Sequence, residues 1–222
     1  MTDSFKADHR RLGWNEFKVT FDSKEGGLAP ALMAKKWTNE NFPGALHFVT
    51  GNVIDRRRIF DQEHNCVAFL AELQALRRDR ECKLIAFVLM PNHFHFTVNP
   101  KDGDIQTATG ILKSFAAKQI VEAAPEGTFW NGTENRVWQE SFKAQRLWSG
   151  WMIRQKINYI HANPVRAGLV NRTEDYKWSS FGSIYRGNAD PLLQVDLDWW
   201  WPGDEVKTAE ELKRRGQAAL PD

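Results

Sequence analysis

The stretch KLIAFVLMPNHFHFTVN, residues 83–99, constrains the fold more than any other part of the 222-residue chain. Lys83–Met90 is a continuous apolar run after its first residue, and it ends at Pro91 and Asn92. A short apolar run closed by turn residues reads as a buried strand. His93–Asn99 then alternates strictly between Phe or Val and polar residues. That period of two predicts a second strand, antiparallel to the first across a two-residue connection. Residues two apart on a strand share a face. Phe94, Phe96 and Val98 therefore point into a core, while His93 and His95 point the other way beside Thr97.

The flanking pattern completes a small set of elements. ALHFVTGNV, residues 45–53, reads as a strand. From Gln62 to about Arg78, Val67, Leu70, Leu73 and Leu76 recur at helical spacing. Residues 105 to about 122 predict a second helix, with Ala108, Ile111, Leu112, Phe115 and Ala116 on one side. TENRVWQESFK, residues 133–143, is expected to form a hairpin or strand. Ser149 can cap a third helix that runs to Asn163, with Pro164 as its stop. The order strand, helix, strand, strand, helix, strand, then an added helix predicts an α+β fold. It is a ferredoxin-like split βαβ sandwich: an antiparallel sheet, helices on one face, and an added C-terminal helix. Residues 45–185 make the domain, 1–44 an N-terminal extension and 186–222 a C-terminal tail.

Composition excludes several classes. An apolar content of 42% supports a packed core. Two cysteines without metal spacing argue against a disulfide framework and fit a reducing cytoplasm. No stretch approaches the ~20 apolar residues of a membrane span, so no membrane partner is expected. Lys and Arg number 30 against 28 Asp and Glu, too small an excess to announce a polyanion partner by itself.

An isolated His-x-His is weak grounds for a metal, because imidazole hydrogen-bonds readily anywhere. A second constellation adds weight. In RQKINYIHANPV, residues 154–165, Ile157 and Ile160 face the core, as does the preceding Ile153. Tyr159 and Asn163 lie four apart and share a neighbouring face, with Gln155 and Lys156 one turn earlier. Two imidazoles and one amide carbonyl suit Mg²⁺ or Mn²⁺ with positions left for water. A phenol one turn from that carbonyl is placed to act as a nucleophile on a metal-polarised phosphate. The product would be a covalent phosphotyrosine and a free 3′-hydroxyl.

MPNHFH resembles the HUH motif of single-tyrosine transposases of the insertion-sequence type. NYIHANPVRAGLV with EDYKWSSF resembles the segment that carries their catalytic tyrosine, and FVTGNVIDRRRIF resembles their first strand and its loop. The nearest branch is the REP-associated tyrosine transposases. The resemblance implies that His93, His95 and Asn163 are metal ligands and that Tyr159 is the nucleophile, through a 5′-phosphotyrosine intermediate. It implies single-stranded DNA with hairpins, REP-like or insertion-sequence ends, as partner. A homodimer is one of the assemblies the sequence allows.

Other readings stay open. A metal-dependent hydrolase would activate water at His93 and His95 and form no adduct. A non-catalytic descendant would bind DNA hairpins only. For DNA phosphates the sequence offers Arg56, Arg57 and Arg58, with Arg154, Gln155, Lys156 and Arg166 near the tyrosine. His47 and His161 are expected to pack, and Tyr176 and Tyr185 rank below Tyr159 as nucleophiles. Most of the ten tryptophans are expected to be buried; three of them are adjacent, at 199–201.

Overall fold

The computed structural model describes residues 39–187 and 193–196. The tryptophans at 199–201 lie outside these. Four strands form one antiparallel sheet in the order β2-β3-β1-β4, with β1 at Leu46–Asn52, β2 at Lys83–Met90, β3 at His93–Asn99 and β4 at Lys143–Leu147. Helix α1 (Glu63–Asp79) connects β1 to β2, and α2 (Ile105–Glu122) follows β3. Helix α3 (Gly150–Arg166) follows β4, and a short α4 (Phe181–Tyr185) closes the described part. This is the split βαβ sandwich expected from the order of the elements.

The sheet is covered on both sides. Helix α1 packs beside α2 and puts Phe69 against Phe94, ring centroids 4.6 Å apart. Helix α3 lies on the opposite face, against β2 and β3. Burial on two faces explains why Leu84–Met90 is buried at every residue and reads as an unbroken apolar run. Strand β3 keeps its alternation because its second face carries His93, His95 and Thr97. The buried side of α2 is Ile105, Ala108, Leu112, Ala116 and Ile120. Phe115, expected on that side, is exposed, and Ile111 is only half-buried.

Two local expectations are corrected. Residues 133–142 form no regular strand; they make isolated bridges, Val53 with Trp138 and Trp130 with Asn135, and only Lys143 of the expected stretch enters a strand. Trp138 acts as a plug instead. Its ring packs on Phe60, Phe69 and Phe94, and its Nε1–H donates to the Lys113 carbonyl at 2.7 Å. The fourth strand is KAQRL, immediately before α3. Nor does Pro164 end α3, which continues to Arg166. Pro164 removes one N–H near the last turn, where the loss is small. Beyond it, Ala167 N donates to the Asn163 carbonyl and Leu169 N to the Pro164 carbonyl, both at 2.9 Å.

Both edges of the sheet are occupied, which satisfies backbone groups that an edge would leave open. Along β2, Leu89 N donates to the Trp178 carbonyl, Ser180 N to the Phe87 carbonyl and Asp196 N to the Leu84 carbonyl. Arg77 holds Asp196, Nε to Oδ2 at 2.8 Å, so part of the sequence after 185 belongs to the packed domain. Beside β4, the Asn39 carboxamide donates to the Phe142 carbonyl and accepts from Ala144 N.

Gly51 shows how tightly the core is set. A Cβ on it would fall 2.1 Å from Cζ of Phe94, its partner across the ladder. Phe94 has no room to yield, being fully buried between Phe69 and the stacked Phe96. Gly51→Ala is therefore expected to destabilise by about 1–3 kcal/mol, the usual effect of overpacking. Urea denaturation checks this; an unchanged midpoint would mean that the ring moves freely.

Candidate active site

The site forms where the polar face of β3 meets α3. Register places Thr50 opposite His95 and Asn52 opposite His93, so four polar residues share this face of the sheet. Both imidazoles are held by a neighbour. His93 Nδ1 lies 2.7 Å from Asn92 Oδ1, and His95 Nδ1 lies 2.8 Å from Thr50 Oγ1. Asn92 Oδ1 only accepts, so the proton sits on Nδ1 of His93 and a lone pair remains on Nε2. The same tautomer suits His95. Its Nε2 is buried and has no hydrogen-bond partner, so a proton there would be an orphaned donor.

His95 is 4% exposed and His93 half-buried, with ring centroids 4.9 Å apart. Burial pushes the His95 pKa down to about 3, helped by His93 and Lys156, and that of His93 down to about 4, helped by Arg56. Both rings are consequently neutral at pH 7, the form that ligates metals.

Helix α3 delivers Tyr159 to this pair. Ser149 caps the helix by accepting from Met152 N, and Ile153, Ile157 and Ile160 are buried as the spacing predicts. The Tyr159 ring stands edge-on to His95 at 5.3 Å and to Phe48 at 5.8 Å, while Phe48 stacks on His95 at 5.2 Å. Lys156 Nζ lies 4.7 Å from the Phe48 centroid and 5.8 Å from that of Tyr159, and the Arg166 guanidinium is 5.7 Å from the Tyr159 ring. One turn beyond Tyr159, half-buried Asn163 donates its Nδ2–H to the Tyr159 carbonyl at 3.2 Å. With Nδ2 so engaged, Oδ1 is the side-chain atom that could accept or ligate.

A divalent ion fits the donor set. Among the described residues no group of three or more His, Cys, Asp or Glu side chains is placed to hold a metal. A protein-built site here would thus need an amide oxygen beside the two imidazoles, and His95 Nε2 is a buried acceptor without a partner.

The remaining sequence candidates are distributed unevenly. Arg56 donates to Asn52 Oδ1 at 2.9 Å, beside the histidines. Arg57 is turned away, donating to the Thr128 carbonyl and covering Phe129, and Arg58 pairs with Asp61. Arg154 and Gln155 are half-buried on α3, before Tyr159. His47 lies on the other face of the sheet, across from Val98. His161 is buried behind α3, with Nε2 2.9 Å from Ser180 Oγ. Burial pushes Tyr176 and Tyr185 up to about 12, and Tyr176 donates its phenol proton to the Leu89 carbonyl. Sequence reasoning missed Thr50, Asn92 and Phe48, which orient and cover the imidazoles. Only the cross-strand register brings Thr50 and Phe48 there; Asn92 was legible as the turn residue next to His93.

The model of the family described as "Transposase IS200 like" matches residues 44–163, more than half of the chain. The chain belongs to this family. It is accordingly an enzyme of DNA strand cleavage and transfer. A REP-associated tyrosine transposase of Escherichia coli K12 is 28% identical over 164 residues, 72% of this chain and 87% of the relative. A Haemophilus influenzae protein named as a REP-associated tyrosine transposase is 23% identical over 167 residues, 69% of this chain and 94% of that one. A solved REP-associated tyrosine transposase bound to a REP hairpin shares the fold: TM-score 0.55 at 24% identity, covering 77% of this chain and 98% of the other. Among the described residues no helix of this transposase is long and apolar enough to cross a membrane.

Proposed function

We propose that this transposase nicks and rejoins single-stranded DNA carrying REP-like hairpins, through a covalent bond between Tyr159 and a 5′ phosphate. His93, His95 and Asn163 would hold the Mg²⁺ or Mn²⁺ that supports the reaction. The observation that carries the reading is the buried, unpartnered Nε2 of neutral His95, whose ring is 5.3 Å from that of Tyr159. A bound divalent cation would act as a Lewis acid on the scissile phosphate and as a template for its oxygens.

The protein's own groups do the rest. Tyr159 Oη forms the new bond to phosphorus while the bond to the 3′ oxygen breaks. The phenol proton goes to solvent, and the departing oxygen takes one up as a 3′-hydroxyl. One phosphodiester replaces another, so attack by a 3′-hydroxyl reverses the step without ATP. Lys156 and Arg166 bring positive charge to the tyrosine, which favours approach of the phosphate. Phe48 shields the inner imidazole from water. The setting is the cytoplasm, where the DNA lies.

The test is a denaturing gel of end-labelled hairpin DNA incubated with the chain and Mn²⁺. The expected product is a slow, protease-sensitive DNA adduct that EDTA prevents. Cleavage without an adduct would replace this reading by water-based hydrolysis.

A further inference from the structure

The charge of the chain is unevenly placed. Residues 141–172, which contain β4 and α3, hold six Lys and Arg and no Asp or Glu. That is +6 in a chain of formal charge +2, so the rest carries −4 (+2 less +6). Two of the most exposed large apolar side chains lie in this segment. Trp148 is 61% and Trp151 62% exposed, against the expectation that they pack. Indoles are normally well buried, and two exposed ones three residues apart need an explanation.

Their backbone is fixed. Trp148 ends the approach from β4, Ser149 caps α3, and Trp151 sits in its first turn. Trp151, Gln155, Asn158 and Ala162 form a stripe at helical spacing, exposed or half-exposed throughout, that runs past Tyr159. Eight residues separate Trp151 from Tyr159, about 12 Å along the axis. That length corresponds to roughly three or four stacked nucleotides.

We infer that Trp148 and Trp151 are a stacking platform for unpaired bases flanking the phosphate at Tyr159, with the basic segment tracking the backbone. This deepens the proposed function and rests on it for the position of the cut. Aromatic faces interleaved with cations suit single-stranded DNA, because every base has a face to stack and every phosphate a charge to neutralise. Of the six cations, Arg172, at the far end, is paired with a carboxylate just outside the segment, that of Glu174. Sequence tolerance is expected, since no base edge is read.

The test is fluorescence anisotropy of the full chain with two labelled probes, a 12-nucleotide oligothymidylate and the same backbone built of abasic sites. Wild type is expected to prefer oligothymidylate. Trp148→Ala or Trp151→Ala should weaken oligothymidylate binding by roughly 5- to 100-fold and leave the abasic probe within about twofold. Trp→Phe at either position should recover most of the loss. Both side chains are exposed, so thermal melting should not move. Equal losses on the two probes, or none on either, would overturn the platform, as would a wild type that binds both alike. The adduct assay fails separately: an indole-dependent preference without any adduct keeps the platform and sinks the covalent chemistry, and an adduct without the preference does the reverse.

Discussion

Tyr159→Phe will bind hairpin DNA as the wild type does and form no covalent adduct. The phenol oxygen is the only atom removed. The ring keeps its edge contacts with His95 and Phe48 and its place beside Lys156 and Arg166. Melting should therefore shift by no more than about 1 kcal/mol, as for other substitutions that leave packing intact. Strand cleavage should fall by at least about 10³-fold, because loss of a covalent nucleophile removes the step itself. No other tyrosine among the described residues can take over. Tyr176 is tied to the Leu89 carbonyl, Tyr185 is packed against Phe181 and His161, and burial pushes both pKa values up to about 12. The measurement is single-turnover cleavage with Mn²⁺, read together with DNA affinity. Cleavage at the wild-type rate would show that water, placed by the histidines, is the nucleophile.

How much of this was legible beforehand depended on whether the signal was local. The hairpin at 83–99 was, because its two-residue turn and period of two lie within one short window. So was the pairing of His93 with His95, and of Tyr159 with Asn163, since each pair shares one strand or one helix. Strand β4 was not. KAQRL buries only Ala144 and Leu147, and its pairing with β1 is a long-range contact that leaves no apolar period. The larger pattern of TENRVWQESFK drew the strand assignment to the wrong place, because Trp138 is buried as a plug rather than as part of a ladder. Pro164 misled for a related reason: its local preference is outweighed by the hydrogen bonds beyond it. What sits around the imidazoles is tertiary information. Thr50 and Phe48 reach His95 only once β1 and β3 are in register, and the exposure of Trp148 and Trp151 cannot be read from their spacing.

His95→Leu separates function from stability at the same position. In metal-free buffer its effect should be small. Wild type buries Nε2 without a partner, a defect of about 1–3 kcal/mol, while the substitution gives up the bond to Thr50 and some fit against Phe48, together of similar size. The melting free energy should therefore move by less than about 1 kcal/mol in EDTA. Mn²⁺ reverses the comparison. At a hundredfold excess over Kd a ligand that binds only the folded state adds about 2.7 kcal/mol, roughly 5–10 °C for a chain of this size. Wild type should show that rise and so should Tyr159→Phe, whereas His95→Leu should show little or none and lose at least about 10²-fold in adduct formation. A Mn²⁺ shift that survives in His95→Leu would remove the imidazole from the ligand set. If neither protein shifts, the orphaned nitrogen is not a metal ligand. The divergence is the informative result, because a merely structural histidine would lose stability in both buffers alike.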